Sequence, residues 1–265
     1  MQRQDLVSRL IECLLADMPE YRESVKGMLA SADGSRRALR GLMNLRPPAP
    51  LSAQYVAMQD ELLGLERDEK GVVDAWSLPT IDGGRIALWQ GDITRLKADA
   101  IVNAANSALL GCFSPCHSCI DNAIHSAAGL QLRNACAELM TAQGAPEPTG
   151  RAKLTPAYNL PCRYVIHTVG PIISGEPSPR DDEQLADCYR ACLATAAQNG
   201  CESLALCCLS TGVFHFPNER AAQIAVRVTK EFLSSAPLPR LVIFDVFTPR
   251  DLSAYQRALQ APIKP

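Results

Sequence analysis

The stretch GCFSPCHSCIDNAIH, residues 111–125, crowds the residue types of metal chemistry into a few positions. Cys112, Cys116, His117 and Cys119 come first, and Asp121 follows at once. Cys112, His117 and Cys119 have the spacing C-x4-H-x-C, with Cys116 as a fourth candidate. Zinc takes thiolate and imidazole ligands. A structural site uses four, and a catalytic one uses three and keeps a position open. A structural site would normally draw on two paired halves, and no second CxxC is present. The competing reading is a loop that is cysteine-rich because the chain is, with 11 cysteines in all. Residue types alone leave both readings open. Asp121 also has two readings. It can cap the free N–H groups of the helix it opens, or place a carboxylate beside a metal and a bound substrate. His125, one helical turn later, would be its partner. His167 lies inside a strand and reads as a hydrogen-bonded core histidine.

Composition narrows the function class. At 265 residues the chain suits one large domain, or one domain with an added segment. That length buries a core without disulfide staples. A net charge of -2 and 5% aromatic residues argue against nucleic acid as a partner. The opening MQRQDLVSRLIECLLADM is interrupted by Asp5, Arg9 and Glu12, an amphipathic helix and not a signal core. No apolar run is long enough to span a membrane. These features predict a reduced, cytoplasmic protein with free cysteines. Cys207 and Cys208, inside an apolar run, read as core. No serine-hydrolase elbow, Walker loop or dinucleotide fingerprint occurs.

The elements that would position these residues follow from periodicity. Up to about Trp76 the chain reads as helices, with Leu6, Leu10, Leu14 and Met18 on one stripe. Leu39, Leu42 and Met43 mark a second helix, and Tyr55, Met58 and Leu62 a third. Pro47, Pro48 and Pro50 break them apart. These stripes need a surface and are expected to cover the rest of the chain. From residue 77 strands and helices alternate. Strands are predicted over 85–90, 98–103, 163–169, 203–209 and 241–247. Helices are predicted over 120–140, 181–199, 218–234 and 249–259. The pattern implies an α/β architecture with a central, largely parallel sheet flanked by helices. Ligands then bind beyond the carboxyl ends of the strands. Polar clusters sit there: Gly91-Asp92, residues 103–106 and residues 210–217.

Five ordered motifs now carry a resemblance. GDIT (residues 91–94), ADAIVNAAN (98–106), DNAIHSAAG (121–129), YVIHTVGP (164–171) and STGVFHFP (210–217) together resemble the macrodomain family. The cysteine-bearing insertion and helical extension resemble its microbial zinc-dependent branch, whose members are protein-ADP-ribose hydrolases. The resemblance implies a three-layer mixed sheet over residues 77–265 and a helical extension over 1–76. It implies an ADP-ribose cleft. In it Asp92 would accept from the adenine amino group, and the backbone of Ile93 would meet the same ring. A simple turn cap is the alternative for Asp92. The N–H groups of Ser210, Thr211, Gly212, Val213 and Phe214 would cradle the diphosphate, with Phe214 against the distal ribose. Asn106 would bind the distal ribose hydroxyls and Asn103 would fix the loop. His215 departs from the glycine many members have there, which puts the phosphate contact at that point in question.

The same resemblance implies one zinc ion per chain on Cys112, His117 and Cys119. Zinc would either activate a water or position the distal ribose, with Asp121 and Asn106 as the catalytic pair. The substrate would be a mono-ADP-ribosylated protein, modified on an acidic residue. A lipoyl-carrying protein modified by a sirtuin-type ADP-ribosyltransferase is the named candidate partner, and the chain is expected to act as a monomer. The rival readings are a non-catalytic ADP-ribose reader, a hydrolase of small conjugates such as O-acetyl-ADP-ribose, and a redox or zinc-sensing cysteine loop.

Overall fold

The computed structural model describes residues 2–261, the side chain at position 82 excepted. It begins with α1 (Arg3–Asp17), α2 (Arg22–Lys26), α3 (Ala32–Leu45) and α4 (Ala53–Lys70). Ser31 and Ser52 cap α3 and α4, accepting from the N–H groups of Gly34 and Tyr55. α3 stops at Arg46, before the Pro47-Pro48 pair that cannot continue it.

The helical region packs on the rest of the chain, as expected, against the helix Ile120–Ala128 of the region that follows, but its apolar stripes are not what covers it. They cover one another. Leu6, Leu10 and Leu14 of α1, Leu39 and Leu42 of α3, and Met58 and Leu62 of α4 form a separate buried cluster. Among the described residues, Leu130 is the one buried side chain from beyond the extension that joins it. The seam itself is hydrogen-bonded. Asn44 donates to Ser126 Oγ at 3.1 Å, and Gln59 Oε1 accepts from the Leu130 N–H at 2.9 Å. The Arg133 guanidinium donates to the carbonyls of Met43, Asn44 and Arg46. The physical reason is area: the four helices already satisfy their stripes among themselves, so polar groups are left to make the join.

The alternating region follows as β1 (Val73–Asp74), β2 (Ile86–Gln90), β3 (Leu96–Lys97) and β4 (Ala100–Ala104). Next come α5 (Ile120–Ala128), α6 (Leu130–Gln143), β5 (Ala152–Pro156) and β6 (Tyr164–Thr168). α7 (Pro179–Gln198), β7 (Ser203–Leu206), α8 (Asn218–Ser235), β8 (Leu241–Val246) and α9 (Pro249–Gln260) complete the chain. The main sheet has the order β2-β8-β7-β4-β6-β5. All its neighbours run parallel except β5, which is antiparallel to β6 at the edge. β1 and β3 form a separate two-stranded pair. The mixed, largely parallel sheet is therefore as the sequence predicted. β7 and β8 are buried along their whole length, which explains their unbroken apolar runs.

Two boundaries differ from expectation. The helix predicted over 120–140 is two helices, parted at Gly129, whose φ is +95°. A Cβ there would come within 2.5 Å of Gln59 Nε2, so the close approach of α4 requires glycine. β5 was not foreseen, because Ala-Lys-Leu-Thr-Pro is short and ends in proline, which only an edge strand tolerates. α7, α8 and α9 pack side by side on the sheet, α5 packs on β4 and α6 on β5, and the extension packs outside α5. Among the described residues no helix is long and apolar enough to cross a membrane.

Candidate active site

The carboxyl ends of β4, β7 and β8 open onto one cleft of about 610 Å³. This is where a parallel sheet puts its ligands. Asn106, Cys112, His117, Cys119 and Asp121 line it, and so do residues 210–214.

Cys112 Sγ and His117 Nδ1 stand 3.7 Å apart. With Cys119 Sγ, the ligand atoms all lie within 4.8 Å of one another. Ligand-to-ligand edges in tetrahedral zinc are roughly 3.5 Å at normal Zn–S and Zn–N lengths. Two thiols and an imidazole at this spacing, half-buried in an open cleft, fit a zinc ion with one position free. Cys116 does not belong to the set. Its Sγ donates to the Arg37 carbonyl at 3.4 Å, and it lines a different hollow. Burial, with Cys112 and Asp121 adding to it, pushes the Cys119 thiol up to about 11. A bound cation reverses that cost by pairing with the thiolates.

The loop that carries the triad is fastened locally. Gly111 has a φ of +79°, and a Cβ on it would meet the His125 ring at 2.8 Å. Only glycine lets the chain turn over α5 there. Asn122 Nδ2 donates to the Ser114 carbonyl at 3.0 Å, and the Cys116 N–H donates to Asn44 Oδ1 at 2.9 Å. Arg40 donates to Asn122 Oδ1 at 2.8 Å and to the His117 carbonyl at 3.3 Å. The back of the loop is thus held by the N-terminal helices.

Asp121 is buried, and its carboxylate faces the cleft. It does not cap α5, as one reading of the sequence had it. Cys119 Sγ takes that role, accepting from the Asn122 N–H at 3.4 Å. Asp121 instead accepts from Asn103 Nδ2 at 2.8 Å and from Asn106 Nδ2 at 3.4 Å. Burial raises its carboxyl to about 6, against the pull of Asn103 and Arg133. His125 Nε2 lies 3.5 Å from it. The distance admits contact, but the geometry makes no hydrogen bond, and both His125 nitrogens lack one among the described residues. Burial keeps His125 neutral. Asn103 is fully buried between Asp121 and His167, so it holds the acid and stays out of the cleft.

Residues 210–214 form a tight turn after β7. Ser210 has a φ of +62°, and its carbonyl accepts from the Phe216 N–H at 2.9 Å. Among the described residues the N–H groups of 211–214 have no acceptor. Such a row of free N–H groups is an anion nest. Phe214 packs on the core beside it. His215 takes the left-handed φ of +60° that glycine holds at no cost. It is exposed and does not line the cleft.

Asp92 and Ile93 are not among the residues lining this cleft. Asp92 Oδ1 caps the short turn that follows it, accepting from the Thr94 N–H at 3.0 Å and from Thr94 Oγ1 at 2.6 Å. Ile93 is buried. Two cleft residues escaped the sequence reading. Phe247 stands 74% exposed just past β8. Asp245 is buried in the wall with Oδ1 unbonded, and burial, helped by the Asp92 charge, pushes its carboxyl well up. Both lie at a strand end, and the strand-end rule alone pointed to them.

Comparison with known proteins matches residues 102–225 to the Macro domain family. A protein-ADP-ribose hydrolase of Treponema medium is 47% identical over 253 residues, spanning 94% of this chain and 96% of that one. One from Staphylococcus aureus is 46% identical over 252 residues, with 94% of both covered. The Trypanosoma brucei macrodomain in complex with ADP-ribose superposes with a TM-score of 0.65 at 32% identity, covering 83% of this chain and 94% of that one.

Proposed function

The chain belongs to the macrodomain family, and we propose on that premise that it is a hydrolase releasing ADP-ribose from mono-ADP-ribosylated proteins, modified on acidic residues. One observation carries the reading: a zinc-type ligand set and a buried carboxylate meet in the cleft that also holds a row of free N–H groups. A binding module needs the nest. It has no use for the ligand set beside Asp121.

In this reading the diphosphate lies on the N–H groups of 211–214, which supply positive potential without lysine. Phe214 packs against the distal ribose, and Asn106 Oδ1 accepts from its hydroxyls. Cys112, His117 and Cys119 hold zinc, which when bound supplies Lewis acidity near the distal ribose. Asp121, oriented by Asn103 and Asn106, takes the proton of the attacking water. The water oxygen bonds to the anomeric carbon while the bond from that carbon to the acceptor carboxylate breaks. Positive charge builds on the ring in between, and the Asp121 carboxylate favours it. The acceptor side chain leaves as a carboxylate.

The test is release of ADP-ribose from a protein modified on glutamate, assayed with metal content for wild type and Asp121→Asn. Wild type should carry about one zinc per chain, the single site its ligand set offers, and turn over. The variant should keep its zinc and lose roughly a hundredfold in kcat. Tight binding of ADP-ribose without release by wild type would make the protein a reader.

A further inference from the structure

The cleft has a neighbour of opposite character. Between α3, α4 and the region after β2 lies a hollow of about 170 Å³, which opens beside a second of about 520 Å³. Arg36, Arg40, Arg67, Lys70 and Arg95 line the inner part, against Glu66 and Asp92. Arg3 and Arg37 add to the outer part. The chain as a whole carries -2, so this is a concentrated reversal of sign.

Part of that charge is cancelled locally: Arg3 pairs with Glu69 at 2.6 Å and with Glu66 at 3.3 Å, and Arg67 with Asp68 at 3.2 Å, while Arg37, Arg40 and Arg95 have no acid partner among the described residues. Glu66 neutralises Arg36 through a paired contact, with its Oε2 2.7 Å from the guanidinium. Arg40 spends its donors on a side-chain amide and a carbonyl, and Arg95 on the Gly71 carbonyl at 2.9 Å. Neither acceptor carries a charge. Arg37 is exposed and has no acid partner among the described residues. Among the described residues Lys70 reaches only Asp92, at 3.9 Å.

The trough also touches the active site. Cys116 lines the trough and His117 lines the cleft, so adjacent residues of one loop serve both. A chain lying in the trough would present its next residues at the triad.

We propose that this trough docks an acidic segment of the substrate protein and so delivers the modified residue to the cleft. The proposal rests on the reading that the substrate is a modified protein. Protein carboxylates suit the trough better than nucleic acid does. Glu66, Glu69 and Asp33 interrupt the cations, and a continuous phosphate backbone would run into each of them. Carboxylates spaced along a peptide can meet the arginines and pass the acids by.

The test uses the full chain and a fluorescent peptide of alternating glutamate and serine, with glutamine in place of glutamate as control. Wild type should bind the acidic peptide at least about tenfold more tightly than the control, and added salt should erase the difference. Arg37→Glu, an exposed position, should cost roughly tenfold for the acidic peptide and leave ADP-ribose affinity and melting temperature unchanged. On modified proteins its loss should appear in KM for acid-flanked sites, with kcat kept. Equal binding of the two peptides, no effect of Arg37→Glu, or tighter binding of a single-stranded oligonucleotide than of the acidic peptide would overturn the proposal. A wild type that binds the acidic peptide and releases no ADP-ribose would sink the hydrolase reading alone.

Discussion

Two Cys/His triads share this molecule, Cys112–His117–Cys119 and His125–Cys136–His167, and each brings its ligand atoms within 4.8 Å of one another. Their surroundings differ. The outer triad is half-buried beside an open cleft, and among the described residues its only backbone donor is the Asn122 N–H on Cys119. The inner triad is sealed. His167 Nδ1 accepts from Asn103 at 3.2 Å, and its Nε2 meets Thr155 Oγ1 at 2.9 Å. That network makes His167 neutral with its proton on Nε2. Burial holds His167 down at about 4 and pushes Cys136 up to about 12. The buried Arg133 cation is close enough to act on both His125 and Cys136. Ligand types and spacing therefore do not make a metal site by themselves. An ion must have a way in, and lone pairs such as those His167 gives to Asn103 must not be spent on neighbours.

The largest effect should come from breaking the outer triad. Cys119→Ala should lose zinc and roughly a thousandfold in kcat, the several kcal/mol that Lewis acidity supplies, while circular dichroism shows an intact fold. Cys136→Ala should keep full zinc by atomic absorption. An equal loss of metal from both variants would erase the contrast.

A second effect sharpens the inner triad. His167 has a folded pKa of about 4 against an ordinary value near 6.5. Its stabilising contribution is full above pH 6.5 and is lost as pH falls toward 4, up to about 3 kcal/mol. Asp121, raised to about 6, works in the opposite sense: its contribution is greatest below about 4 and is lost as pH climbs to 6. The stability difference between wild type and His167→Gln in denaturant titrations should therefore grow from pH 4 to about 6.5 and level off above it. A difference flat across that range would mean that the fold leaves the His167 pKa where it is in the unfolded chain.

The smallest effect is stability at neutral pH. Cys136→Ala removes a buried sulfur and should cost about 1–2 kcal/mol in urea denaturation. Cys116→Ser, at the trough, should cost less than about 0.5 kcal/mol and leave zinc in place.

Much of this was readable beforehand. Apolar runs located β4, β6, β7 and β8, and the strand-end rule pointed to residues 91–92, 103–106 and 210–217, of which 104–106 and 210–214 line the cleft. The triad followed from residue types, and His167 was rightly read as hydrogen-bonded core. What stayed hidden depends on three-dimensional neighbours. Nothing in Asn103's position on a strand says that it holds Asp121. The sequence could not choose between capping and catalysis for Asp121, or between capping and adenine binding for Asp92, because both roles use the same lone pairs. The trough was invisible since its cations come from positions as distant as Arg36, Arg67 and Arg95. Arg133 reads as an ordinary exposed helix residue and is in fact buried.

That arginine has a wider consequence. Its guanidinium grips three carbonyls at the C-terminal end of α3, takes the Leu110 carbonyl at 2.7 Å, and stacks over Phe113 at 4.3 Å. One cation is thus the common rivet of the helical extension and the cysteine loop. A single rivet cannot let go of one plate and hold the other. The helical extension and the cysteine loop should loosen together, and a chain trimmed of its first helices would keep its sheet while the cysteine loop hung loose.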